Sequence, residues 1–219
     1  MVHFTLFGIP VYIRPSFWVV LAIFGGALSI SSVEDLIYPA LFVIAGFIAI
    51  LSHEMGHALV GRRLGGGQQT IVLELFGGLT SSHGMQLTRG GRALMILAGP
   101  MMTLLLGIIS LWLTWNIVAP VMASHNLDFW DLAISPFTAA LISPKLYILS
   151  CLIMIGEWWT LLNLLPIYPL DGGQLIAQYI RSPRKVFMTG FITAILIGLL
   201  SFQLFHGYFI PTVSYTHLR

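Results

Sequence analysis

Long apolar segments recur along the chain and are separated by short polar or glycine-rich connections. Five of these segments approach the length of about 20 helical residues that the hydrocarbon core of a membrane requires. They cover residues 15–30, 36–60, 93–118, 146–165 and 186–205. The pattern therefore predicts an α-helical polytopic membrane protein with about five transmembrane helices, of which the first is the shortest.

The connection between the second and third predicted spans has a different pattern. Residues 70–76 mix β-branched and apolar side chains and are bounded by glycines, which is typical of a short strand. We therefore expect a short membrane-associated β segment, of one or two strands, between helices 2 and 3. Such a strand either pairs with an extended peptide or only caps the domain.

The composition supports a lipid bilayer as the main surroundings. Of the 219 residues, 57% are hydrophobic and 8% are charged, whereas a soluble domain carries about 25% charged residues. The net charge is +2 and there is no long basic run, so a nucleic-acid partner and peripheral membrane attachment are both disfavoured. The lone cysteine, Cys151, excludes an internal disulfide.

The apolar segments leave little room for a separate aqueous domain. Residues 1–219 are therefore predicted to form a single membrane-embedded domain with its core at 36–181. The final residues, TVSYTHLR, break the membrane pattern and resemble translated adapter sequence. On this interpretation residues 206–219 are a non-native tail, and the natural protein continues with room for a sixth span.

The lysines and arginines orient the predicted spans, because basic residues near span ends favour the cytoplasm. With the N-terminus inside, most of them fall on the cytoplasmic side: Arg14, Arg62, Arg63, Arg89, Arg92, Arg181, Arg184 and Lys185. Only Lys145 and Arg219 fall outside. We therefore expect a multi-pass protein whose N-terminus is cytoplasmic.

The segment HEMGH on the second predicted span carries the clearest chemistry. His53 and His57 are four residues apart, which places them on one helix face about 6 Å apart along the axis. Both imidazoles can then bind one zinc ion, and Glu54 can take a proton from a water on the metal. The alternative is a hydrogen-bonded polar cluster. Ionisable groups below a membrane surface are costly unless they are paired, bind metal or reach water, which favours the metal.

A catalytic zinc needs a third protein ligand. The candidates are His83, Glu74, Glu157 and Asp171. Asp171 stands out because it closes the segment NLLPIYPLDGG, in which prolines stop a helix and glycines allow close backbone approach. The alternative for this segment is a helix-ending loop with a solvent-facing Asp. Glu157 lies on the fourth span and has either a function or a structural role.

Two motifs resemble those of a known family. HEMGH, and NLLPIYPLDGGQL after the fourth span, are similar to the two signature motifs of the site-2 protease family of intramembrane zinc metalloproteases. The shorter segments FGIPVYIRPSF, LFGGLT and AGP match family segments in the same order. The resemblance covers residues 5–205 and is to the compact form without an inserted PDZ module.

The resemblance implies a site for one zinc ion. It implies that His53, His57 and Asp171 bind the metal and that Glu54 activates water. It also implies that Asn163 orients the substrate or stabilises the developing oxyanion, a role that an amide N–H₂ can fill. The alternative for Asn163 is an amide that satisfies backbone groups at a helix end.

The implied activity is hydrolysis of peptide bonds in or near the transmembrane segments of membrane-protein substrates, at a site that opens to the cytoplasm. One position departs from the family pattern, because Thr103 stands where an asparagine often follows AGP. A hydroxyl lacks the two-donor geometry of an amide. The rival hypothesis is a non-proteolytic membrane metal-binding protein or transporter that uses the same His/Asp site.

Overall fold

The computed structural model describes residues 1–75, 77–84, 86–125, 133, 135–180 and 182–216, and their side chains except at 118–125, 137 and 201–216. The helices are Pro15–Phe24 (α1), Ile37–Gly65 (α2), Arg89–His125 (α3), Pro136–Ile142 (α4), Pro144–Leu164 (α5), Asp171–Ala177 (α6) and Pro183–Thr216 (α7). The strands are Val2–Leu6 (β1), Ile9–Ile13 (β2), Gln68–Glu74 (β3) and Gly77–His83 (β4). The predictions for Phe76, for Arg181 and for 217–219 lie outside the described residues.

Four helical segments in the described part of the chain are long and apolar enough to cross a membrane. They are Glu34–Gly65, Arg89–Ile117, Pro144–Leu164 and Pro183–Leu200. The predicted polytopic helical membrane fold is confirmed.

The first predicted span, 15–30, differs from the structure. α1 has 10 residues, or about 15 Å of helix, which is half of a hydrocarbon core of about 30 Å. The helix ends at Phe24 because Gly25 and Gly26 follow, and Gly26 adopts a φ of +87°, where glycine has no steric cost. The count of spanning helices in the described residues is therefore four rather than five.

The strands form one sheet in the order β1-β2-β3-β4. β3 and β4 pair antiparallel and confirm the β segment predicted between the second and third spans. The hairpin of β1 and β2 was not predicted. It turns at Phe7 and Gly8, which both have positive φ, as a two-residue type I′ turn requires. β2 then pairs parallel with β3, which leaves β4 at one edge of the sheet.

One face of the sheet packs on the C-terminal half of α2. The shared core contains Ile9, Val11, Ile13, Phe17, Leu21, Ile50, Leu51, Met55, Ala58, Ile71 and Leu73. Arg62 near the end of α2 donates a hydrogen bond to the carbonyl of Phe7 at 2.8 Å, and Arg14 pairs with Glu74 at 3.0 Å. The N-terminal hairpin therefore lies at the same end of α2 as its basic last turn.

The chain divides into two compact units, Met1–Leu162 and Asn163–Arg219. The sheet and the HEMGH helix belong to the first unit, whereas α6, α7 and the connection before them belong to the second. The prediction of a single domain over 1–219 stays a prediction.

Candidate metal centre

His53 and His57 converge on α2 as the four-residue spacing predicts. Their Nε2 atoms are 3.1 Å apart, and the rings meet edge to face at 80° with centroids 4.8 Å apart. Both side chains are buried. Zinc–nitrogen bonds of 2.0–2.1 Å at tetrahedral angles place two nitrogens about 3.3 Å apart. The pair therefore fits two ligands of one zinc ion.

The outward-facing nitrogens of both rings contact α3. Nδ1 of His57 donates to the carbonyl of Met95 at 2.8 Å, and Nδ1 of His53 lies 3.4 Å from the hydroxyl of Thr103. A carbonyl can only accept, so neutral His57 carries its proton on Nδ1 and turns the Nε2 lone pair toward His53. Such a partner on the second nitrogen fixes the tautomer of a metal-ligating histidine.

α3 approaches the histidines closely because Gly99 has no side chain. A Cβ at this position would lie 2.9 Å from Nε2 of His53 and closer still to the ring of His57. Gly56 on α2 also allows the two helices to approach closely, because a Cβ there would meet the carbonyl of Ala98 on α3. The short AGP motif thus contributes the residue over which the two imidazoles pack.

Glu54 is buried and held by β4. The hydroxyl of Thr80 donates to Oε2 of Glu54 at 2.7 Å and lies 3.2 Å from its backbone carbonyl. Gly78 lies two residues earlier on the same face of the strand, where any Cβ would run into the Glu54 side chain. Sequence reasoning missed Thr80 and named Thr103 only as a departure from the family pattern, because nothing in the spacing of HEMGH indicates which neighbouring element supplies a hydroxyl.

The candidates for a third ligand differ in burial. Glu74 is occupied by its ion pair with Arg14, and the side chains of His83 and Glu157 are exposed. Asp171 is buried, with 6% of its surface exposed. Of these four described residues, Asp171 is thus the one with the burial that a metal ligand needs.

Within the second unit, Asp171 is the first residue of α6. The connection before it turns tightly, with the amide of Leu170 donating to the carbonyl of Ile167 at 2.8 Å. Gly172 and Gly173 pack directly on that connection, since a Cβ at either would meet its backbone. The loop expected from the prolines and glycines is therefore present, but its Asp is buried rather than solvent-facing.

The side chains of His53, His57 and Asp171 are of types that can hold a metal ion, and all three are buried. Asn163 is partly buried in the last turn of α5. The polar residues named from the two sequence motifs are thus at least partly removed from solvent.

Comparison with known proteins gives a family and a fold. A family model described as peptidase family M50 matches residues 41–205. A zinc metalloprotease of Methanocaldococcus jannaschii is 26% identical over 212 residues, which is 92% of this chain and 54% of that protein. The chain spans about half the length of the curated relatives it matches.

Among solved structures, the site-2 protease from Methanocaldococcus jannaschii has a similar fold. The TM-score is 0.58 at 24% identity, and the match covers 93% of this chain and 87% of that chain. The match therefore extends over nearly the whole chain.

Proposed function

Because the chain belongs to peptidase family M50, we propose that it is an intramembrane zinc metalloprotease, which hydrolyses peptide bonds in or near the transmembrane segments of other membrane proteins. The observation that carries this proposal is the convergence of two Nε2 atoms at 3.1 Å next to a buried glutamate. They lie on a helix that is long and apolar enough to cross a membrane. Ionisable groups in such a setting mark a functional site by default.

His53 and His57 would hold the zinc ion through Nε2, and Asp171 would supply the third protein ligand. Catalytic zinc sites use three protein ligands of this kind and keep one position for water or substrate. The burial of Asp171 supports this assignment, because the other candidates are exposed or held by an arginine. The match of its segment to the family motif supports it as well.

Bound zinc would polarise the scissile carbonyl and lower the pKa of a water molecule to about 7. Glu54 would take a proton from the attacking water and pass it to the amine nitrogen of the leaving peptide as the C–N bond breaks. The hydrogen bond from Thr80 to Oε2 holds this carboxylate in one orientation and leaves Oε1 for the proton transfer.

Asn163 would orient the substrate or stabilise the developing oxyanion. Its amide offers two N–H donors, and donors aimed at the place where charge develops are a large part of catalysis by hydrolases. The support is its place in the motif, eight residues before Asp171, and its partly buried side chain. In its other role the amide would only satisfy backbone groups at the end of α5.

The substrate must be locally extended, because a helical peptide bond is shielded by its own turn. β4 is an edge strand, and its Thr80 contacts Glu54. An edge strand presents unpaired backbone groups to which an extended peptide can add as a further strand. β4 would therefore hold the unwound substrate in register beside the catalytic base.

The site would open to the cytoplasm. The last turn of α2 carries Arg62 and Arg63, and α3 begins at Arg89 with Arg92 one turn later. Basic residues at span ends favour the cytoplasmic side. The N-terminal hairpin contacts Arg62, so the N-terminus would be cytoplasmic too.

The test is cleavage of a generic single-span membrane protein by the purified chain in detergent or vesicles. We expect cleavage by the native protein, and losses of at least a thousandfold in Glu54→Gln and after chelation of the metal, with recovery when zinc is restored. Glu34→Gln is the matched control, because Glu34 is exposed at the start of the same span and should leave activity unchanged.

Two outcomes would contradict the proposal. Cleavage that survives Glu54→Gln would remove the glutamate as the base. A chain that moves zinc across vesicles equally well in native and Glu54→Gln forms, without cleavage, would instead be a transporter using the same ligands, since transport needs no general base.

A further inference from the structure

Thr103 is fully buried on α3, at 0% exposure, and lies on the face that meets the histidines. Met95, Gly99 and Thr103 follow one another at intervals of four residues, so they share one side of the helix. Met95 contacts His57 through its carbonyl, Gly99 lies beneath both rings, and Thr103 contacts His53. The two outer positions therefore bracket the imidazole pair.

The hydroxyl of Thr103 can accept a hydrogen bond from His53. Its own proton has two carbonyl acceptors in the preceding turn, Pro100 at 3.0 Å and Gly99 at 3.2 Å. Carbonyls only accept, so a proton donated to either leaves the oxygen lone pairs for an N–H donor. Nδ1–H of His53 at 3.4 Å is such a donor, and the Nε2 lone pair then turns toward His57.

Thr160 on α5 supports this hydroxyl from the other side. The two threonine oxygens are 3.0 Å apart, so Thr160 can donate its single proton to the oxygen of Thr103, with the carbonyl of Pro100 at 3.2 Å as the alternative acceptor. The helices approach closely one turn away, where a Cβ on Gly156 would lie 3.3 Å from Cα of Gly107. Small residues at a crossing allow such hydroxyl contacts between apolar helices.

We propose that Thr103, held in place by Thr160, is the positioning residue that orients His53 for metal binding. The inference rests on the proposed function, since it takes His53 as a zinc ligand. Thr103 does not touch the metal; it acts by fixing the ring and its tautomer. Partners of this kind contribute about 10–100-fold to the metal affinity of their histidines.

The test measures the zinc affinity of the purified full chain by competition with a chromogenic chelator, alongside its melting temperature. Thr103→Val keeps the volume and removes the hydroxyl, so affinity should fall about tenfold or more. Thr103→Ser keeps the hydroxyl and should restore affinity to within about threefold of native. Thr114→Val is the matched control, because Thr114 is equally buried on α3 and its hydroxyl donates to the carbonyl of Ser110 rather than contacting a histidine.

Thr160→Val should also weaken zinc binding, by less than Thr103→Val does. If Thr103→Val does not fold, the zinc affinity of Thr160→Val tests the proposal in its place. The inference is overturned if Thr103→Val binds zinc within twofold of native, or if Thr114→Val loses as much affinity. A native chain that binds zinc and cleaves while Thr103→Val is unchanged contradicts the positioning role alone. A native chain that binds no zinc overturns the proposed function together with it.

Discussion

The hydroxyl of Thr80 fixes the side chain of the proposed catalytic base. It donates to Oε2 of Glu54 at 2.7 Å, from a strand whose Gly78 leaves room for the carboxylate. A hydrogen bond to a charged group contributes about 1.5–3 kcal/mol, more than one between neutral groups. Its value here lies in geometry, because a long glutamate side chain otherwise samples several rotamers.

Removing this hydroxyl should slow the chemical step more than substrate binding. Thr80→Val keeps the β-branched shape that suits a strand and should lower kcat by about tenfold, which corresponds to about 1.4 kcal/mol, with KM nearly unchanged. Steady-state cleavage of a single-span substrate measures both constants. Thr70→Val on β3 is the control in the same sheet. A KM effect with kcat unchanged would assign Thr80 to substrate binding instead.

Sequence alone could place His53, Glu54 and His57, because helical spacing is local and needs no knowledge of neighbours. It could not place Thr80 or Thr103. Their roles depend on which face of β4 and of α3 meets α2, and that is decided by packing between residues far apart in the chain. The glycines that allow this packing appear in sequence only as short motifs of low specificity.

At the level of elements, apolar length predicted the long helices well, because the hydrocarbon core demands it. α1 was overestimated, since hydropathy continues past Phe24 while Gly25 and Gly26 end the helix. The β1 and β2 hairpin was missed, although its residues alternate between more and less buried positions. Strands of 5 residues each have little sequence signal of their own. A two-stranded hairpin is marginally stable alone, and this one joins the larger sheet through the pairing of β2 with β3.

The edge position of β4 leads to a prediction about this element. Proline removes a backbone N–H and so blocks pairing on the side where that N–H points. Single proline variants at Leu79, Ser81 and Ser82 include residues whose N–H points toward β3 and residues whose N–H points outward, because these directions alternate along a strand. A variant that keeps the native melting temperature should have lost only an N–H that points away from β3. We expect such a variant to cleave about tenfold more slowly, because the substrate strand loses one hydrogen bond to β4.

The opposite edge of the sheet provides the control for this series. His3→Pro and Thr5→Pro change exposed residues of β1, and they should leave the rate of cleavage unaltered. Unchanged turnover in every β4 variant would contradict strand addition and leave β4 as a cap over the site. Equal losses at both edges would point to a general disturbance of the sheet.

At the scale of the whole molecule, the proposed orientation in the membrane rests on two contacts within the first unit. α1 runs antiparallel to α2, with Leu21 against Gly46 and Gly25 against Phe42. The chain thus starts at the Arg62 end of α2 and returns to its other end before the span begins. α1 is too short to cross a membrane. The N-terminal hairpin and the basic last turn of α2 therefore lie together at the same end of α2.

Thiol labelling of single-cysteine variants tests this arrangement. Cys151 is buried and is the only cysteine, so a Cys151→Ala background can carry Phe7→Cys, Arg63→Cys or Lys145→Cys, each at an exposed position. With a membrane-impermeant maleimide, we expect Lys145→Cys to react on intact cells. Phe7→Cys and Arg63→Cys should react only in inverted vesicles, because basic span ends face the cytoplasm.

The pattern of labelling separates two ways in which the arrangement could be wrong. Phe7→Cys and Arg63→Cys labelled from the outside, with Lys145→Cys inside, would invert the protein and place the proposed site toward the exterior. Phe7→Cys and Arg63→Cys labelled from opposite sides would contradict the 2.8 Å contact between the hairpin and Arg62. In that case the sheet could not pack on α2, and β4, which pairs with β3 in this sheet, could not hold Glu54.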